Sequence, residues 1–387
     1  MPALETIVVD IATRVVEPDE DFFIVRPGQG ASLYDEFYKR SAVFLDFPDL
    51  DLVAFGAARP QSTLRREIAL RSLAIRDYHN QVRRQKRKSQ APNNVPLPSR
   101  NIADYKGKAF RARLGTYISA IEKLYSQLPD GTIIIVPPAN PYKQVLIGVL
   151  DGPAQTFSNF DLYPGENLPG RRVRWLGQRQ QAAFTPAARK VLENPQPLMQ
   201  LDRKLRDEFL RPAFDQFIIG EEFTARFRTE ADDFSSLDSE DITSFVNYIA
   251  GLIAYAEEKG VGHQVSATEA HALLRELRDR VPELNVNINS PGFLRLLNKC
   301  VDPVTIAAFM TMAIHGITPA VGQPIEVINS VGAKHDACSL TVSQQAKGVM
   351  SIMDFDELAS NCKRLDAAAK NVHLKSSMKV EKKKLKP

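Results

Sequence analysis

The hydrophobic pattern of this chain changes character near residue 220, from strand runs interleaved with helices to helices alone, and that change limits the folds open to it. Up to about residue 220 there are short runs rich in β-branched residues, such as TIVVDIATRVV, DFFIVRPG, AVFLDF and GTIIIVPP. Each is bounded by Pro, Gly or Asp and has the length and composition of a strand. Helical stretches alternate with them. SLYDEFYKR follows the Pro27-Gly28 turn with Ser32 as its cap. A long helix over 62–88 carries Leu64, Ile68, Ile75 and Val82, and FRARLGTYISAIEKLYSQL forms another. QAPNNVPLPS, with three prolines, ends the long helix. GTIIIVPP and KQVLIGVLDGP sit close enough for a hairpin, and TPAARKVLENP starts as a helix with Thr185 and Pro186.

Beyond that point the pattern is helical. SEDITSFVNYIAGLIAYAEEKG, SATEAHALLRELRDRV, PGFLRLLNKC, DPVTIAAFMTMAIHG, LTVSQQAKGVMSIM and DELASNCKRLDAAAKNV all read as helices. Ser266 and Glu269 make a capping box ahead of the stripe Ala270, Leu273, Leu274, Leu277 and Val281. The fold class expected is α+β: a domain over 1–220, an acidic connector over 221–241, a mostly α-helical interaction domain over 242–372, and a basic tail over 373–387. The methionines of AFMTMAIHGI suit either a core or an adaptable surface for a protein partner or a second copy of the chain.

With 387 residues the chain is long enough for two cores. No apolar run is long enough to cross a bilayer, so no membrane partner is expected. The acidic amino terminus lacks a signal-peptide layout, and the three cysteines form no CxxC pair. A reduced, cytoplasmic setting follows as the expectation.

The net charge of +4 is less informative than its distribution. Basic residues crowd at the end of the long helix, as Arg83, Arg84, Lys86, Arg87 and Lys88, and again in the strand GRRVRWLG, as Arg171, Arg172 and Arg174. Like charges packed this way suit a polyanion, so both clusters are candidates for nucleic-acid backbone contact. They can equally be solvated faces. The only tryptophan, Trp175, lies within the second cluster, where it is either a stacking platform or a core residue.

The amino-terminal half carries a run of short motifs. Phe23, Arg26 and Gly28 close a strand; Asp46, Phe47, Asp49 and Leu50 form an acidic-aromatic element; Asp130, Gly131 and Pro137 frame a hydrophobic strand. Gly148, Val149, Gly152 and Pro153 follow, and then Val173 and Trp175. Over about residues 20–200 this resembles the amino-terminal module of some Mrr-like restriction proteins, related to the EVE and PUA-like barrels. It departs from that pattern in the reversed order Asp130-Gly131, and in Pro27 where a second glycine is usual.

The resemblance implies a PUA/EVE-like β-barrel that reads modified or flipped bases in DNA, in a prokaryotic restriction or antiphage defence system. RNA is admitted as a second partner. An unstacked base is read by aromatic faces and by hydrogen bonds to its edge. Phe23, Phe47 and Trp175 are the candidate faces, and Arg26 and Asp46 the candidate edge contacts.

No catalytic residue, cofactor or metal is expected from motifs. There is no GxxxxGK[ST] loop, no GxGxxG after a strand and no GxSxG elbow. A zinc set from Cys300, His315, His335 and Cys338 lacks the two tight pairs of a structural site, and a Cys338–His335 nucleophile pair rests on spacing alone. The alternative is a metal-dependent nuclease, or another effector enzyme, with its active site in the helical half.

Overall fold

The structure is a computed structural model. It describes residues 5–60, 62–87, 95–108, 114–220, 222–231, 234–260, 263–287, 292–299, 301–331 and 337–383. The chain forms two compact units, one of Met1–Glu20 with Phe214–Pro387 and the other Asp21–Ala213.

Two strands open the chain, β1 (Thr6–Asp10) and β2 (Arg14–Val16). They belong to the discontinuous unit rather than to the domain that follows them, so the expected domain over 1–220 is corrected at both ends. Strand pairing is long-range, and the alternation in TIVVD carries no information about its partner.

The Asp21–Ala213 unit is built from β3 (Phe23–Val25), α1 (Tyr34–Arg40), β4 (Ala42–Phe44), α2 (Leu52–Ala57), α3 (Thr63–Arg87) and α4 (Leu114–Glu122). It continues with β5 (Ile133–Val136), β6 (Gln144–Phe157), β7 (Leu168–Gln180), α5 (Pro186–Leu192), β8 (Leu198–Gln200) and α6 (Arg206–Leu210). The six strands form one sheet in the order β4-β7-β6-β5-β3-β8. β5 and β6 pair antiparallel as the expected hairpin, and β3 lies parallel to β5. The sheet is open, with β4 and β8 as its edges, and the expected β-barrel does not close among the described residues.

The longest pairing, β6 with β7, is interrupted twice. Gly148 faces Trp175 while Ile147 faces Gly177, which leaves Leu176 as an extra residue. Further along, Leu150 faces Val173 and Ala154 faces Arg171, so three residues of β6 span one of β7. Such bulges re-aim the side chains beside them. An aromatic core fills one side of the sheet. Phe44 meets Phe37, Phe157 and Phe160 edge-on at 5.5, 4.9 and 5.1 Å, and α3 lays Ile68, Ala69 and Leu73 into the same core.

The other unit continues with β9 (Gln216–Ile219), β10 (Glu222–Thr229), α7 (Ser236–Lys259), α8 (Ala267–Glu276), β11 (Glu283–Asn287) and β12 (Gly292–Lys299). After these come α9 (Val301–Ile314), β13 (Ile325–Ile328), α10 (Ala337–Ile352), α11 (Phe355–Asn371) and β14 (Lys379–Lys383). Its strands form two sheets, β13-β1-β14 and β11-β12-β10-β9-β2. The mostly helical domain is therefore a second α+β unit.

Three expectations change with it. The acidic stretch 221–241 is no connector. EFTARFRT alternates, burying Phe223, Ala225 and Phe227, and the acids after it serve α7, where Ser235 and Asp238 form a capping box. PGFLRLLNKC supplies strand β12 rather than a helix, because a short apolar run fits either period. The basic tail contributes β14, which pairs antiparallel with β1 and presents charge along a sheet edge, an arrangement that discourages further strand pairing.

The expected capping box at Ser266 and Glu269 is present. In α9, Met310 and Met312 are 0% and 1% exposed, as are most of their neighbours. A helix apolar on all sides is a core element, so these methionines do not form a partner surface. Among the described residues no helix is long and apolar enough to cross a membrane.

Candidate nucleic-acid interface

Seven segments of the Asp21–Ala213 unit converge on a cavity of about 600 Å³, within the usual range of ligand sites. Six of them are the turn after β3, the residues after β4, one face of α3, α4, the turn after β5, and the end of α5 with the segment after it; Gln181, just after β7, joins them. Asp46 lines the cavity, 8% exposed. Gly28 is needed beside it for two reasons. Its φ is +75°, and a Cβ there would lie 3.0 Å from Ser32 Oγ and 3.2 Å from Asp46 Oδ2.

Asp46 is held from both sides. The Tyr163 hydroxyl donates to Oδ1, and the backbone N–H of Gln29 approaches Oδ2 at 3.4 Å. Burial first, and then the Asp46 charge, push the Tyr163 phenol far above its ordinary value, so it keeps the proton it donates. Arg76 also lines the cavity. Burial works against its charge, but Asp46 and Asp77 more than offset that, and its pKa is raised. The Arg76 guanidinium lies 5.9 Å from the Tyr117 ring centroid, and Phe47 meets the same ring edge-on at 5.4 Å. The cavity thus combines an oriented carboxylate, a charged donor and two aromatic rings.

Of the five expected base contacts, Arg26, Asp46 and Phe47 line this cavity; Phe23 and Trp175 do not. Arg26 has another task. Its Nε donates to the Asn194 carbonyl at 2.5 Å and a terminal nitrogen donates to Leu192, satisfying carbonyls at the end of α5. Phe23 is a core residue beneath the Lys123 ammonium, 4.6 Å from its ring centroid. Trp175 is turned with Val173 onto the core side of the sheet and lies across Gly148, where a Cβ would come within 2.8 Å of the indole. Its Nε1 is buried, with no hydrogen-bond partner among the described residues. The bulge at Leu176 and the missing side chain at Gly148 make the core position the one that fits.

The basic clusters divide in the same way. Arg171 is 3% exposed, and its guanidinium is engaged inside the fold. It pairs with Asp130 at 2.5 Å and donates to the carbonyls of Leu128 at 2.5 Å, Gly152 at 3.0 Å and Leu124 at 3.4 Å. Asp130 also accepts from the Gly152 N–H at 3.0 Å, and Gly131 takes φ +82°. The reversed pair Asp130-Gly131 is thereby built into this junction. Arg172 and Arg174 point out and have no carboxylate partner among the described residues.

On α3, Arg83 lies 5.7 Å from the Tyr163 ring centroid and donates to Asn80. Arg84 and Lys86 are exposed, again with no carboxylate partner among the described residues. The Arg87 side chain and all of Lys88 lie outside the described residues.

Sequence reading missed Arg76, Tyr117, Tyr163 and the network beside them. Arg71 donates to the Asp49 carbonyl at 2.6 Å, Arg100 bonds Glu166 at 2.6 Å and Asp49 at 3.3 Å, and His79 approaches Glu166 at 3.4 Å. Asp49 holds a positive φ of 55° in this network. The available signal was the polar spacing Arg76, His79 and Arg83, which repeats on one helical face.

Cys300 and His335 of the drawn zinc set lie outside the described residues, as does the Cys338 side chain. His315 Nδ1 is 2.8 Å from the Thr311 carbonyl oxygen of its own helix. Among the described residues no three metal-ligating side chains converge. The chain matches no protein-family model, no curated protein and no solved structure.

Proposed function

We propose that the Asp21–Ala213 unit binds nucleic acid and receives one unstacked base in the cavity around Asp46. The observation that carries this reading is the convergence of Asp46, Arg76, Phe47 and Tyr117 on a cavity of ligand size. In it Asp46 Oδ2 accepts from an amino or ring N–H of the base, Arg76 donates to a ring nitrogen or carbonyl, and the aromatic rings pack against the plane. Arg84, Lys86, Arg172 and Arg174 neutralise phosphates. DNA as the polymer, and the setting of restriction or antiphage defence, follow from the resemblance to Mrr-like modules.

The test is binding to unmodified and phage-modified plasmid DNA at two salt concentrations, with magnesium present. Salt-sensitive binding that weakens in an Arg84→Glu/Lys86→Glu variant, together with a base preference lost in Asp46→Ala, supports the reading. Absence of binding at low salt overturns it.

A further inference from the structure

The Met1–Glu20 and Phe214–Pro387 unit contains a cavity that the base-reading function does not use. It has a volume of about 410 Å³ and is lined by Asn247, His271, Leu274, Arg275, Arg278 and Val281. We propose that it binds a small organic phosphate monoester.

The helices α7 and α8 make a close support for such a site. A Cβ at Gly251 would sit 2.5 Å from the Ala270 carbonyl oxygen, so the two backbones touch at this crossing. Asn247 lies one turn back from Gly251 on the same face of α7, and His271 directly follows Ala270. The polar groups are therefore mounted beside a close contact between the helices. Arg275 is one turn further along α8, and Arg278 is in the short turn after it.

Three features set the ligand class. First, Arg275 and Arg278 are exposed and have no carboxylate partner among the described residues, whereas the adjacent Arg280 pairs with Glu257 at 2.5 Å. Two unpaired guanidinium groups match the charge of a phosphate monoester, about −1.5 to −2 at neutral pH, and their planar forks suit its oxygens. A backbone diester carries only one negative charge. Second, Asn247 adds an amide donor to the lining, within reach of an oxyanion held by the arginines. Third, Leu274 and Val281, the latter 41% exposed, give an apolar wall that inorganic phosphate leaves uncovered. The organic part of the ester rests there.

Calorimetric titration of the full chain carrying Asp46→Ala, which disables the base-reading cavity, tests this with inorganic phosphate, a nucleoside 5′-monophosphate, the parent nucleoside, and a single-stranded oligonucleotide without a terminal phosphate. The monophosphate is expected to bind one-to-one and more tightly than inorganic phosphate, and the nucleoside not at all. Arg275→Gln and Arg278→Gln are each expected to weaken binding by about tenfold, the loss of one charged hydrogen bond. Lys363→Gln, at an exposed residue of α11 outside the cavity, serves as a control that leaves it unchanged. Both arginines are exposed, so the variants fold, and a melting curve for each verifies this. Equal affinity for monophosphate and nucleoside overturns the proposal, as does indifference to both arginine variants. Displacement of the monophosphate by the oligonucleotide also overturns it, because the cavity would then be a backbone-contact surface. None of these outcomes depends on Asp46.

Discussion

The Asp46 cavity and the strip of β7 around Trp175 draw on the same types of side chain: arginine, an aromatic ring and a nearby aspartate. In the strip these groups are consumed internally. Arg171 satisfies three carbonyls and one carboxylate, and Trp175 covers a glycine. In the cavity the aspartate is oriented by Tyr163 and the Gln29 backbone, while space remains in front of it. Residue type names what a group can bond. Whether the group is still available depends on which backbone carbonyls it reaches, and bulges, turns and helix ends decide that. The proposed base-reading role therefore belongs to the cavity, and the strip contributes only its outward arginines.

The largest effect that sharpens this contrast is expected at Arg171. Arg171→Ala leaves several carbonyls and Asp130 unserved and should cost about 3 kcal/mol in urea denaturation. DNA affinity of the protein that remains folded should be unchanged. If Arg171→Ala were stable but failed to bind DNA, the internal role assigned to Arg171 would be wrong. Tyr163→Phe comes next. It removes the hydroxyl that donates to the buried Asp46 carboxylate, a loss of about 1–3 kcal/mol, and should also weaken base preference.

The third effect is a pH dependence. Burial raises the Glu166 carboxyl, but hydrogen bonds and charge from Arg100 and His79 outweigh it and hold the group below its ordinary value of 4.5. A lowered folded-state pKa means this contribution to stability is present above pH 4.5 and is lost as pH falls through the folded value. Glu166→Gln should flatten that part of the acid limb, and Arg100→Gln should move it to higher pH. Denaturation midpoints across an acid series measure both.

Smaller still is Trp175→Phe. The indole N–H makes no bond among the described residues, so only packing should change, by about 1 kcal/mol, and DNA affinity should stay as it was. A strong loss of base preference in Trp175→Phe would return Trp175 to the reading site. Arg172→Gln and Arg174→Gln should change stability by less than about 0.5 kcal/mol, since both side chains are exposed. Each should still reduce the salt dependence of DNA binding by roughly one unit of slope.

Local structure was legible in the sequence where it has local causes. The Ser62 hydroxyl meets the Arg65 N–H at 3.5 Å at the start of α3, Thr185 caps α5, and the Pro27-Gly28 turn forms as expected. Ser32 does not cap α1, whose cap position falls on Leu33. Long-range pairing was not legible. TIVVD lies between two strands from the far end of the chain, and neither PGFLRLLNKC nor KVEKK declared itself a strand without its partner. For the site, Arg26, Asp46 and Phe47 were found through short motifs. Arg76 and Tyr117 sit inside helices, where one polar face of a long amphipathic pattern gives no sign of what it covers.

The account rests on a base entering the Asp46 cavity, and fluorescence of DNA duplexes with 2-aminopurine placed at successive positions tests this most directly. Binding of the wild-type chain should raise the emission at the position where the neighbouring base leaves the stack. Trp175→Phe should preserve that rise and Asp46→Ala should abolish it. Binding with no rise at any position, or an equal rise in Asp46→Ala, would contradict the assignment of this cavity as the base-reading site.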